Sequence, residues 1–154
     1  MKLSHLDAEG RARMVDVGDK PVSDRTAVAT GAVRMSRSAY EVVAGEGVPK
    51  GDVLGVAEVA GVMGAKRTGE LIPLCHPLGL DHVQVEARLD PELPGVQVTA
   101  AARVMGRTGV EMEALTAVTV ACLTVYDMVK AVDKGMVIEN VKLVSKAKRP
   151  AHDS

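Results

Sequence analysis

The sequence predicts an α+β protein of ferredoxin-like type, an antiparallel sheet with its helices on one face in a split βαβ arrangement. Three observations predict it. Three runs, Arg25–Met35, Val83–Leu89 and Val96–Val104, alternate side by side as strands with one buried face do, and Val137–Val144 reads as a fourth strand. Helical stretches fall between the first and second strands and between the third and fourth. The second and third strands are separated only by Pro91–Gly95, so they should form a hairpin.

The elements follow in order. Residues 1–13 are polar and patternless and read as a flexible arm, mobile or partner-contacting. In the first strand Ala27, Ala29, Gly31, Val33 and Met35 share a face. Ser36 or Ser38 caps a short helix ending near Gly45–Gly47. Asp52 caps the next, which runs to about Thr68 and is rich in small residues: Gly55, Ala57, Ala60, Gly61, Gly64 and Ala65. Tertiary packing must offset the helix cost of its glycines, about 1 kcal/mol each, and small residues let another backbone or a ligand come close. Pro73 and Pro77 keep Leu71–Leu78 out of helix interiors and central strands. After the hairpin, Gly106–Gly109 is a loop, and a long helix spans about Val110–Val132, ended by Lys134-Gly135. Its core stripe is Leu115, Val118, Cys122, Val125, Val129 and Val132. A second stripe, Thr116, Val120, Leu123, Asp127, Lys130 and Lys134, leaves Val120 and Leu123 exposed on a monomer and predicts an oligomer with this helix near an interface. One domain, residues 14–146, is expected, followed by a flexible tail, 147–154.

Composition narrows the function. A chain of 154 residues buries roughly 70% of its unfolded surface and needs no staples. With 19 basic against 20 acidic residues and only Tyr40 and Tyr126 as aromatics, it has neither the bulk charge nor the stacking platforms of a nucleic-acid binder. Cys75 and Cys122 make no metal spacing and no disulfide framework, which fits the reducing cytoplasm. The N-terminus has no apolar h-region, and no uninterrupted apolar span suggests a membrane crossing. No protein-bound metal is expected from ligand spacing.

Two stretches can carry chemistry. In Leu74-Cys75-His76-Pro77, His76 sits in a proline-fixed loop. It reads equally as an acid, a base or a phosphate donor, and as a structural imidazole bonded to a carbonyl. Cys75 reads as packing or a main-chain contact rather than a nucleophile. Glu111-Met112-Glu113 opens the long helix, where acids complement the macrodipole or, with free N–H groups, hold a polar heterocycle. Asp127 and Lys130 are neighbours on one helix face, either a surface pair or a proton-moving pair facing a cleft. Arg25, Lys50, Lys66 and Arg67 each read alone as solvated charge, and Lys50-Gly51-Asp52 lacks full phosphate-loop spacing. Fourteen residues separate Glu113 from Asp127, about 21 Å along a helix. One small pocket cannot easily use both ends, so they serve separate sites or one composite site between subunits.

The segments MVDVGDK (14–20), KGDVLGVAEVAGVMGAKRTGELIPLCHPL (50–78), TGVEMEALTAVTVACLTVYDMVKAV (108–132) and LVSK (143–146) closely resemble the cyclic pyranopterin monophosphate synthase family, the C protein of molybdenum cofactor biosynthesis. The likeness covers about residues 14–146. It implies a phosphorus–oxygen lyase that rearranges a cyclised dihydro-GTP (3′,8-cyclo-7,8-dihydroguanosine 5′-triphosphate) to cyclic pyranopterin monophosphate with loss of diphosphate. It further implies a homohexamer, a trimer of dimers, with sites at the dimer interface. The family's catalytic aspartate falls on Asp127, and Lys130 and Lys50 are further active-site matches. Substrate contacts fall on Leu74, Cys75, His76, Met112 and Glu113, with Glu111 alongside and Arg25 as a phosphate contact. In this scheme Lys50, Arg25 and Lys66 neutralise the triphosphate, and Asp127 and Lys130 trade protons. No tightly bound cofactor is implied, and magnesium riding on the triphosphate is compatible with it. One departure stands out: where the family continues with a Gly-Gly-Lys-Ser-Gly run after Lys146, this chain reads Ala147-Lys148-Arg149-Pro150. The alternative from another class is a ferredoxin-like small-molecule-binding regulatory module, which turnover of the cyclic nucleotide would discriminate.

Overall fold

The computed structural model describes residues 2–45 and 52–151. Its elements are β1 (Ser23–Arg34), α1 (Arg37–Ala44), α2 (Val53–Lys66), α3 (Thr68–Leu71), β2 (His82–Asp90), β3 (Gly95–Gly106), α4 (Glu111–Val129) and β4 (Val137–Pro150). The strands form one antiparallel sheet in the order β2-β3-β1-β4, the split βαβ topology expected from the alternation.

Local chemistry sets the boundaries. The Ser36 hydroxyl accepts from the Ala39 N–H at 3.1 Å and starts α1. The Asp52 carboxylate accepts from the Gly55 N–H at 3.0 Å and starts α2. At the break between α2 and α3 the buried Thr68 hydroxyl lies within reach of the Gly64 and Ala65 carbonyls, at 3.1 and 3.0 Å. Its one hydrogen is shared between these two carbonyls at the helix end, where donors run short.

The core is built from small side chains, as a chain without Phe or Trp requires. Ala27, Ala29 and Val33 of β1 and Val96, Val98, Ala100, Ala102 and Val104 of β3 are buried beneath Val118, Cys122 and Val125 of α4. α2 packs closely on α4 because of its glycines. A Cβ at Gly61 would lie 3.0 Å from the Ala117 carbonyl oxygen and 3.0 Å from a Val85 methyl. The approach anticipated for the small residues of α2 is therefore by another backbone. Gly61→Val should destabilise the fold by about 1–3 kcal/mol by forcing the helices apart. Urea unfolding should show a lowered midpoint with little change in slope.

Three sequence expectations are corrected. α4 stops at Val129, short of Val132, which is 50% exposed. The Val132 and Asp133 N–H groups both turn back onto the Val129 carbonyl, and the Asp133 carboxylate accepts from the Ser36 N–H at 2.8 Å and the Gly135 N–H at 2.9 Å. That carboxylate ties the chain to the start of α1 before the helix can continue. Val120 is half-buried rather than exposed, because it packs over Gly64, while Leu123 stays 57% exposed. Residues 147–150, assigned to a flexible tail, instead continue β4, pairing Lys148 with Arg25 and Pro150 with Ser23. Polarity there reflects a sheet edge, where lysines discourage further pairing.

α4 has the length and mean hydropathy of a membrane-crossing helix. Here Ala114, Ala117, Val118, Ala121, Cys122, Val125 and Val129 bury it against the sheet, as in the core helix of a globular domain.

Antiparallel pairing sorts the termini of these elements into two ends. One end gathers the start of β1, the start of β2, the ends of β3 and β4 and, through the loop 107–110, the start of α4. The opposite end holds Arg34, the 91–94 turn, Val137 and the C-terminus of α4.

Candidate functional site

At the first end a cavity of about 720 Å³ opens between three segments. The loop after α3 supplies Ile72, Pro73, Leu74, Cys75 and His76; the start of α4 and its approach supply Thr108, Gly109, Glu111 and Met112; the N-terminal arm supplies His5 and Ala12. Prolines stiffen the loop, the Cys75 N–H closes a turn on the Ile72 carbonyl at 3.1 Å, and the Asp81 N–H anchors the loop's exit on the Arg103 carbonyl at 3.0 Å.

A second, cationic pocket of about 330 Å³ shares Gly109 and Glu111 with the first and adds Arg25, Thr26, Lys146, Ala147 and Lys148. The Arg25 guanidinium is aimed by Nε donating to the Gly106 carbonyl at 3.1 Å and Nη2 to the Arg107 carbonyl at 3.3 Å. Lys146 Nζ is 3.6 Å from Glu111 Oε1. Strand register sets Lys148 directly across from Arg25. Like charges in opposed positions repel, so an anion bound between them would relieve the site.

Glu113 does not line the large cavity. It is 2% exposed and stands behind Cys75, whose Sγ is 3.8 Å from Glu113 Oε2, while among the described residues its buried Oε1 meets no hydrogen-bond partner. Burial pushes the Glu113 carboxyl above the usual carboxylate range. A raised native pKa means stability is held below the unfolded value and lost as pH rises through the folded one. Glu113→Gln removes that loss, so it should melt above the unsubstituted protein at pH 7, with the gap closing as pH falls toward 4. A gap independent of pH would contradict the assignment. Burial, and then the charge of Glu113, push the Cys75 thiol up to about 11. Little thiolate forms near neutrality, so Cys75 should react with iodoacetamide at pH 8 about a hundredfold more slowly than an ordinary thiol, as peptide mass spectrometry would show.

The remaining candidates lie elsewhere. Lys66 lines a third pocket with Asp81 and His82, at the same end. Asp127 and Lys130 stand at the far end of α4, Lys130 Nζ donating to Asp127 Oδ1 at 2.8 Å, both largely exposed. The Asp127 carboxylate holds the Lys130 ammonium above its ordinary pKa. Lys50 lies outside the described residues. The structure thus brings Leu74, Cys75, His76, Glu111 and Met112 together, sets Arg25 beside them and Glu113 behind, and leaves Asp127 and Lys130 about 21 Å away along the helix. Sequence reasoning missed His5 and Ala12, whose only signal is the turn residue Gly10 between them, at φ 78°. Among the described residues no three His, Cys, Asp or Glu side chains converge as a metal set.

Comparison with known proteins now places the chain. Residues 14–148 match the family model described as the MoaC family. The chain belongs to the MoaC family. Among curated relatives, proteins named cyclic pyranopterin monophosphate synthase are similar over most of their length. The one from Cereibacter sphaeroides (strain KD131 / KCTC 12085) is 60% identical over 144 residues, 94% of this chain and 91% of that protein. The one from Methylobacterium sp. (strain 4-46) is 59% identical over 145 residues, with the same coverage. The one from Brucella canis is 54% identical over 152 residues, 99% of this chain and 92% of that protein. The MoaC match begins at residue 14, so the arm carrying His5 and Ala12 lies outside it.

Proposed function

We propose that this chain converts 3′,8-cyclo-7,8-dihydroguanosine 5′-triphosphate to cyclic pyranopterin monophosphate, releasing diphosphate, as a step of molybdenum cofactor biosynthesis. One observation carries the reading beyond the family name: a largely apolar cavity and a cationic pocket adjoin through Gly109 and Glu111. A flat heterocycle with a polyphosphate tail needs that pairing, the first part for the ring and the second for the charge.

In this reading His76, Glu111 and Met112 hold the ring. Glu113 stiffens the loop behind it through Cys75. Arg25, Lys146 and Lys66, with Lys50, neutralise the triphosphate and stabilise diphosphate as it leaves. Magnesium enters, where it enters, on the triphosphate rather than in a protein cage.

Asp127 and Lys130 move protons during opening of the purine ring and closure of the pterin. Their pairing suits exchange. While Asp127 is ionised, Lys130 keeps its proton; once Asp127 takes a proton, the charge that held Lys130 up is gone and its proton leaves more readily.

The separation along α4 favours a composite site. A second copy of the chain brings Asp127 and Lys130 to the cavity, in a hexamer built as a trimer of dimers with the site at the dimer interface. Exposed Val56, Val59, Met63 and Leu123 on the helices offer apolar surface for such contacts. The two free cysteines accord with work in the cytoplasm.

The test is an anaerobic assay of the purified protein with the cyclised dihydro-GTP, following diphosphate release and pterin fluorescence after oxidation. Equal yields of the two products are expected. Binding of the nucleotide without either product would sink the reading and favour a regulatory module.

A further inference from the structure

The N-terminal arm enters neither the reading above nor the family match, yet it forms one wall of the ring cavity. It is folded by its own bonds. The Arg13 N–H donates to the His5 carbonyl at 2.7 Å and the Asp7 N–H to the Arg11 carbonyl at 2.9 Å, while Leu6 and Ala12 form a bridge. The Asp7 carboxylate accepts from the Glu9 and Arg11 N–H groups at 3.0 and 2.9 Å, closing the turn. Among the described residues, every hydrogen bond of the segment 2–13 stays inside it. The arm thus closes on itself as a hairpin, and its exposed His5 and Ala12 line the cavity.

His5 Nδ1 is 3.3 Å from the Arg13 carbonyl oxygen. A carbonyl can only accept, so Nδ1 carries the hydrogen in that contact, and in the neutral ring Nε2 keeps its lone pair. The ring is held by the hairpin and lines a cavity whose wall is otherwise largely apolar. In such a wall one of the few fixed polar atoms supplies a specific contact that holds the ligand in one orientation.

We propose that His5 is a substrate-positioning residue, and that the hairpin of residues 2–13 is the wall that presents its Nε2 to an N–H of the bound heterocycle. The proposal rests on the reaction assigned above and adds a contact to that site.

Two substitutions separate the ring's nitrogens. His5→Asn places a polar atom where Nδ1 was and keeps the hairpin contact with Arg13, but reaches no further. His5→Gln reaches about as far as Nε2. With the cyclised dihydro-GTP as substrate, His5→Ala and His5→Asn should each raise KM about tenfold and leave kcat within about twofold, the pattern of a lost binding contact. His5→Gln should recover most of the KM. Sedimentation should give all three the unsubstituted protein's mass. An unchanged KM in His5→Asn, a His5→Gln no better than His5→Ala, or a loss explained wholly by dissociation of the assembly would each overturn it. The unsubstituted protein runs alongside: if it makes no product, the reaction itself is misassigned, whereas normal turnover with indifferent His5 variants refutes the positioning role alone.

Discussion

Asp127→Asn should lower turnover by between about a hundredfold and ten-thousandfold, the range over which a positioned acid–base group contributes. The side chain keeps its size and its hydrogen-bonding reach but can no longer take a proton. Asp127 is 61% exposed at the end of α4, so little folding energy depends on its charge. The ion pair with Lys130 is screened by solvent and contributes little, so thermal unfolding should shift by a few degrees at most. Substrate should still bind, because the cationic pocket proposed for the triphosphate is untouched. The expected signature is a large fall in kcat with a modest change in KM, an unchanged melting profile and an unchanged sedimentation coefficient. Product formation near the unsubstituted rate would remove Asp127 from the mechanism. A loss accompanied by collapse of the assembly would make it structural.

Much of this arrangement was legible in the sequence because periodicity reports burial. The alternation in Ala27, Ala29, Gly31 and Val33 marks the helix-facing side of β1, and those residues are buried there. The proline-fixed loop and the acidic helix start also marked the cavity lining, since both place side chains by local geometry. Legibility failed where burial is set by partners distant in sequence. Residues 147–150 pair with β1 at the edge of the sheet, and an edge strand is as polar as a disordered tail. Glu111 and Glu113 looked like one group, but two residues turn about 200° around a helix. One therefore faces the cavity while the other enters the protein beneath Cys75. His5 had no periodic signal at all; only the cavity it shares with the loop reveals its place.

Mixing two inactive variants should restore activity, and the amount restored reports the architecture. Take Asp127→Asn, damaged at the far end of α4, and His76→Ala, damaged in the loop beside the cavity. Each alone should be nearly inert. Suppose the two are unfolded and refolded together in equal amounts. In a two-fold symmetric dimer whose sites each draw on both chains, half of the dimers are hybrids. Within each hybrid one site collects both lesions and the other collects neither. About a quarter of the unsubstituted activity should therefore return, reached at an equal ratio and falling as either variant is put in excess. If instead every site were built from a single chain, each site would carry one lesion whatever its neighbour, and mixing would return nothing above the mean of the two variants. The 21 Å between the ends of α4 makes the first outcome the expected one, because no side chain spans that length. A second mixture, His76→Ala with Glu111→Gln, is the control. Both residues line one cavity in one chain, so every hybrid site still carries a lesion, and no recovery should appear.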